Sequence, residues 1–381
     1  MNNDIRKLFP VTETYAYFDH ASMAPMSVKV TDAMHGFVLV VQKSGPLSFP
    51  SWMKRVYEIR TAAARLINAQ WSQIAFVANT SEGVSAIANG IAWQPGDNIV
   101  SCADEFPANI YPWMNLSKHG VALRLAPSNN GKVLTEDILD LINTRTRVVA
   151  ISSVQYATGQ RMDLTTIGKF CRERNVLFFV DAIQGLGALK MDVEADFIDA
   201  LTANSHKFLL GPGGCGFLYI SDAALKIVEP SVIGWLSVEN PAEAFSPNLT
   251  YHLDRPLHFH SGAMRFEGGS PNFPGIFGLG ASLDTILEIG PDEIERHVIE
   301  LTDHLCEGLS KRGYNVVSPR GDGEKSAIVC CTHNRHSSEF LREHLISNKV
   351  ITTDRCGRLR IAPHLYNTHE EIDQLLNALP D

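Results

Sequence analysis

The chain has 381 residues, of which 45% are hydrophobic and 20% charged, and 33 lysines and arginines stand against 42 aspartates and glutamates for a net charge of −9. This is the composition of a soluble globular protein: the acidic balance gives nucleic acid no basic field, and no apolar run approaches the roughly 20 residues of a membrane span. At about 150 residues per domain the length implies two domains or one large α/β unit with a smaller partner, and the start, Met1-Asn2-Asn3-Asp4-Ile5-Arg6-Lys7, lacks the pattern of a signal peptide, so a cytoplasmic location is expected.

In chain order, strand-like apolar runs begin at Ile74–Val77. They continue at Asn98–Cys102, Ala122–Leu125, Arg147–Val154, Leu177–Asp181, Ala200–Ala203 and Gly216–Ile220. Several are continuously apolar, which predicts strands covered on both faces in a mostly parallel sheet. Helical patterns lie between them. Val84–Ile91 is one, and Asp163 caps another in which Leu164, Ile167 and Cys171 repeat at helical spacing. A long helix near Ala281–Ile289 is expected to link this part to the rest. Beyond it, Pro291 opens a helix carrying Leu301, Leu305 and Leu309. Strand-like Tyr314–Val317 and Ala327–Thr332 follow, then a helix near Ser337–Ser347. Extended Val350–Thr353 and Leu359–Ile361 come next, and a last helix opens on the capping box Thr368-His369-Glu370-Glu371. The expected division is a large unit over 15–286 and a small α+β unit from 1–14 and 287–381. The seven cysteines (102, 171, 215, 306, 330, 331 and 356) include no pair at metal-site spacing and mostly read as small core hydrophobes. The histidines at 252, 258 and 260 read as a loop near a subunit interface rather than a metal site.

Chemistry concentrates at the ends of the strands. Asp181 closes the run Val176–Val180, and Lys207 follows Asn204-Ser205-His206, ahead of a glycine-rich turn. A lysine and a carboxylate at the ends of neighbouring buried strands suit pyridoxal 5′-phosphate: the amine forms a Schiff base and the carboxylate keeps the pyridine nitrogen protonated. Asn79-Thr80-Ser81-Glu82-Gly83, between a strand and a helix, offers backbone N–H groups and hydroxyls to a phosphate.

Seven segments in order resemble the class V aminotransferase and cysteine desulfurase group of fold-type I pyridoxal-phosphate enzymes. They are Tyr17–Ala21, Asn79–Gly83, Glu105–Trp113, Val180–Gly185, Ser205–Lys207, Arg265–Asn272, and Arg360 with Tyr366-Asn367-Thr368. The resemblance implies a large mixed, mostly parallel sheet sandwiched by helices, with a small α+β C-terminal domain. It implies Lys207 and Asp181 as catalytic residues and Gln184 and Gln155 as ring contacts, with Phe106 stacked on the ring. Thr80, Ser81, Asn204 and His206 would hold the phosphate. Arg360, His20 and Ala21 would meet the substrate, Arg360 as a bidentate carboxylate clamp. Ser270 would reach the phosphate of the second subunit of a homodimer.

The departures narrow the reaction. Phe106 stands where desulfurating relatives carry histidine, and phenylalanine cannot move a proton. Cys356 lies only four residues before Arg360, too near for the mobile loop that carries a sulfur-accepting cysteine. Gln155 replaces an asparagine. Ser44–Pro50 reads as an active-site loop, and Trp52, Tyr111 and Trp113 as pocket walls or core. Transamination of a small amino acid or amino compound is therefore expected first and C–S lyase chemistry second. Cysteine desulfuration, racemisation or epimerisation, and a non-catalytic cofactor-binding regulator follow.

Overall fold

The computed structural model describes residues 3–247, 249 and 256–380. Seven strands form the main sheet: β2 (Ile74–Val77), β3 (Asn98–Cys102), β4 (Ala122–Ala126), β5 (Thr146–Ser152), β6 (Leu177–Asp181), β7 (Ala200–Asn204) and β8 (Gly216–Ile220), after a short β1 (Ala16–Tyr17) that lies elsewhere. Their spatial order is β2-β8-β7-β6-β5-β3-β4, and β8 alone runs against the others. The continuous apolar runs have a direct cause. Alternate residues of each inner strand enter two separate cores. Ile151, Phe178, Val180, Leu201 and Phe217 face one side, and Ala150, Leu177, Phe179, Ala200 and Leu218 the other.

Helices cover both faces. On the first side lie Phe49–Leu66 and Phe273–Ile289, with Ile59, Leu279, Leu283 and Ile286 buried; on the second lies Thr80–Gly90, burying Val84 and Ile87. Gly83 is what brings that helix close: a Cβ there would lie 2.2 Å from Thr202 Oγ1 on β7.

The C-terminal part is a second sheet of β9 (Asn315–Val316), β10 (Val329–Thr332), β12 (Thr353–Arg355) and β13 (Arg358–Ile361), antiparallel throughout in the order β12-β13-β10-β9. Helices Pro291–Lys311, Ser338–Ser347 and His369–Ala378 pack Leu301, Leu305, Leu345 and Ile372 onto it. The α/β class and mixed sheet match the sequence expectation.

Four features depart from it. The extended stretch 350–353 is divided: β11 (Val350–Ile351) pairs parallel with β1, whereas Thr353 pairs with Arg360 in the other sheet. Residues 16–18 therefore join the C-terminal part, where Ala16 and Phe18 are buried, and not the large unit assigned from residue 15. The linking helix starts at Phe273, not near 281. Its early glycines, poor helix formers, obscured it; they serve close packing, since a Cβ on Gly280 would lie 2.5 Å from Ile59 and one on Gly278 2.8 Å from Met34. Finally, residues 44–50 are no loop at the site. Gly45–Ser48 is a 3₁₀ turn joining helices Val28–Ser44 and Phe49–Leu66, neither of which was anticipated.

Candidate active site

The C-terminal ends of β5, β6 and β7 stand in register, with Ser152 beside Asp181 and Asp181 beside Thr202. Ligands of such sheets bind outside these carboxyl ends. There a cavity of about 300 Å³ is lined by Thr80, Ser81, Phe106, Asp181, Gln184, Asn204, His206, Lys207, Ala21 and Arg360. Ten of the thirteen residues singled out from the sequence are thus brought together. Asn79, the first residue of the expected phosphate turn, lines it too, and Ser22, Ala108, Tyr156, Ile183 and Arg355 also line it without having been given a role from the sequence. A larger polar cavity of about 610 Å³, beside the start of helix Leu164–Glu173, shares none of these side chains.

The floor is electrostatic. Asp181 is 1% exposed, and its Oδ1 accepts from the Ile183 N–H at 3.0 Å. Burial pushes its pKa up to about 7, and the nearby Glu105 adds to the rise. Lys207 is pushed down to about 8, first by burial and then by Arg360 and Arg355, with Asp181 opposing. Its Nζ stands 5.6 Å from the centroid of the Phe106 ring, which meets Tyr156 edge-on at 5.2 Å. An amine whose pKa burial brings down toward neutrality is suited to act as nucleophile and base.

At one end of the cavity, Asn79 caps helix Thr80–Gly90 by accepting from the Glu82 N–H at 3.0 Å, so the helix start points into the space. The Asn204 amide donates to Ala78 O at 2.9 Å, and its Oδ1 lies 2.8 Å from His206 Nδ1. Burial lowers His206 to about 4, so its ring is neutral. At the opposite end Arg360 is 2% exposed. It donates to Tyr156 O at 3.1 Å and Ser22 Oγ at 2.6 Å, and stands 3.7 Å from Asp19.

Three expected residues lie off the cavity. His20 is fully buried, bridging Ala362 O at 2.7 Å and Tyr366 Oη at 2.8 Å, so its ring holds the chain crossing and offers no substrate contact. Gln155 sits beneath, donating to Glu105 at 2.9 Å. Glu105 also accepts from the Ser152 N–H at 2.6 Å, from Ser152 Oγ and from Asn109 at 3.1 Å; this buried carboxylate ties the strand end to the Phe106 turn. Ser270 lines a separate cavity with Gly268, Gly269 and Glu267. Glu267 there is held by Arg60 through two hydrogen bonds, one at 2.5 Å and one at 3.1 Å.

The proposed walls also move: Trp113 packs on Phe179 in the core, Trp52 packs at a tilt against Phe37 and Phe273, and Tyr111 is exposed. Cys356 occupies the two-residue turn between β12 and β13. Its φ of 51° and that of Gly357, 73°, are the pattern of a tight hairpin. Its Sγ stands 3.7 Å from Tyr156 Oη. His258 and His260 are described; His252 lies outside the described residues, and His260 Nδ1 accepts from the Gly262 N–H at 3.0 Å.

The donor set fits a flat, phosphorylated heteroaromatic aldehyde. Two buried atoms, Thr80 Oγ1 and Gln184 Oε1, have no hydrogen-bond partner among the described residues and belong to residues lining the cavity. Asp181 presents a carboxylate that burial alone would neutralise, suited to a cationic ring N–H, and Lys207 supplies the amine.

Comparison with known proteins agrees. The family model described as "Aminotransferase class-V" matches residues 16–375. A probable cysteine desulfurase of Methanothermobacter thermautotrophicus is 29% identical, over 99% of this chain and 97% of that protein. An uncharacterised aminotransferase of Schizosaccharomyces pombe is 27% identical, over 98% and 94%. Among solved structures, a cysteine desulfurase from Thermococcus onnurineus has a TM-score of 0.89 and 26% identity, covering 99% of this chain and 96% of that one. The cystine C–S lyase C-DES, 22% identical over 97% and 98% with a TM-score of 0.87, shares the fold.

Proposed function

The chain belongs to the class-V aminotransferase family, and from that premise we propose that it is a lyase cleaving the C–S bond of a cysteine derivative. Its cofactor is pyridoxal 5′-phosphate, which when bound supplies the electron sink that makes the Cα proton of an amino acid removable. The observation that carries the finer reading is the set of relatives named for cysteine desulfuration, alike over nearly the whole chain.

The roles of individual residues are part of the proposal. Lys207 holds the cofactor and, once displaced by substrate, takes the proton from Cα. Asp181 keeps the ring nitrogen protonated. Gln184 meets the ring hydroxyl, and Thr80, Ser81, Asn204 and His206 surround the phosphate. Arg360 takes the substrate α-carboxylate through its fork of N–H groups. Phe106 covers the ring and excludes water without exchanging protons, which leaves Lys207 as the base. The C–S bond then breaks with its electron pair going to sulfur, which takes up a proton and leaves as a thiol. Addition of water converts the three-carbon remainder to pyruvate and ammonia.

Cys356 is fixed on a tight hairpin rather than a mobile loop, which favours release of sulfur to solvent over relay through this thiol. Transamination, placed first from the sequence, uses the same lysine and clamp and becomes the second reading, supported by the fission-yeast relative's name. We also propose a homodimer in which Ser270 completes the partner's phosphate site; sedimentation of the loaded protein tests it, and an active monomer excludes it. The domain division near residue 287 is likewise our reading, with residues 16–18 moved to the smaller unit. Incubation with a panel of cysteine derivatives and other amino acids decides the reaction. Catalytic release of thiol and pyruvate in equal amounts is expected. Conversion of the cofactor to its amine form with keto acid and no thiol would assign transamination instead.

A further inference from the structure

A second guanidinium faces the cavity beside Arg360. Arg355 lines the same space and is exposed. It lies on β12, two residues beyond Thr353, the register partner of Arg360 on β13. Residues diagonal across an antiparallel pair lie on one sheet face, about 7–8 Å apart, within reach of long side chains. The geometry agrees: Ser22 Oγ accepts from Arg360 at 2.6 Å and lies 3.5 Å from Arg355 Nη2.

The two cations differ in their partners. Arg360 is buried and has Asp19 at 3.7 Å. Arg355 donates to Asp354 O at 2.8 Å, and among the described residues no carboxylate stands within ion-pair distance of it. The neighbouring Asp354 carboxylate is engaged at 3.0 Å by Arg342. Asp19, the carboxylate beside this pair, stands against Arg360. Two guanidiniums kept close at a half-open mouth repel one another unless an anion lies between or beside them.

We infer that Arg355 selects substrates carrying a second anionic group at the far end of the side chain, such as a cysteine whose sulfur substituent ends in a carboxylate. The inference rests on the reading of Arg360 as the α-carboxylate clamp. With that carboxylate at Arg360 and Cα at Lys207, the side chain leaves past Phe106 and Tyr156 toward the mouth, where Arg355 is the cation it meets.

The test uses the cofactor-loaded protein and two probes that lack an amino group and so cannot react: 3-(carboxymethylsulfanyl)propanoate and the monoanionic 3-(propylsulfanyl)propanoate. Calorimetry on the wild type should show the dicarboxylate bound about tenfold more tightly, the low end for a charge-assisted contact at an open site. Arg355→Gln, an exposed change, should abolish that preference and leave the monocarboxylate within about twofold, whereas Arg355→Lys should keep part of it. Equal affinities in the wild type, or an equal loss of both probes in Arg355→Gln, would overturn the inference while leaving Arg360 as the clamp. No binding of either probe would remove the clamp reading and this inference with it.

Discussion

Replacing Arg360 with lysine separates charge from geometry at the substrate end of the site. The guanidinium is 2% exposed and already oriented by Tyr156 O at 3.1 Å and Ser22 Oγ at 2.6 Å, so its remaining N–H groups are fixed before substrate arrives. A lysine keeps the positive charge but cannot present two parallel N–H groups to one carboxylate. The loss is about one charge-assisted hydrogen bond, roughly 1.5–3 kcal/mol, and each 1.4 kcal/mol is tenfold in binding. Arg360→Lys should therefore lower kcat/KM by about 10–150-fold. Since the contact is made with substrate as well as transition state, most of the change should appear in KM. The assay is thiol release from an S-substituted cysteine, run beside its decarboxylated amine analogue. The analogue should turn over equally poorly in both proteins, because it has no carboxylate to lose. A decrease below about threefold, or an equal decrease on the analogue, would refute the clamp.

Asp181→Asn should cut turnover severely, because an amide cannot hold the ring nitrogen protonated. It also carries a pH signature in the cofactor-free protein. The native carboxyl is raised to about 7 from 3.8, so the folded state binds the proton more tightly than the unfolded state. Wild-type stability should therefore fall as pH rises from about 4 through 7, and urea titrations should show a flatter dependence in Asp181→Asn. Gly83→Ala would place a Cβ 2.2 Å from Thr202 Oγ1. An overpacking cost of about 1–3 kcal/mol is expected in denaturant melts, with weaker cofactor retention in dialysis as the helix start shifts; an unchanged protein would contradict the close approach. Cys356→Ser should retain most activity on the true substrate. A variant that still binds cysteine but no longer releases sulfur would restore the desulfurase reading.

Much of the fold was legible because its cause is local. Both faces of β5–β8 are buried, so their sequences are apolar without alternation, and the caps Asn79, Asp163 and Thr368 mark helix starts by their side-chain chemistry. The helices Val28–Ser44 and Phe273–Ile289 were harder to read. The first exposes Val38, Leu39, Val40 and Val41, which blurs its period, and the second carries glycines that pack against helices Val28–Ser44 and Phe49–Leu66. At the site, Lys207, Asp181 and the Asn79–Ser81 turn were visible because they end strands. Ser22, Tyr156 and Arg355 were not, because contacts between residues hundreds of positions apart leave no local pattern; Arg360 touches Ser22 across 338 positions. His20 misled because its motif sits beside the pocket while its ring points into the chain crossing, toward Tyr366.

Lys207 is the residue proposed to hold the cofactor. Treating the loaded protein with borohydride fixes the cofactor to its lysine, and mass spectrometry of the digest then locates it. The label is predicted on the peptide containing Lys207, at one per chain, and should vanish in Lys207→Ala together with the visible absorbance and turnover. A label on another lysine, or a Lys207→Ala protein with normal turnover, would contradict the site as described.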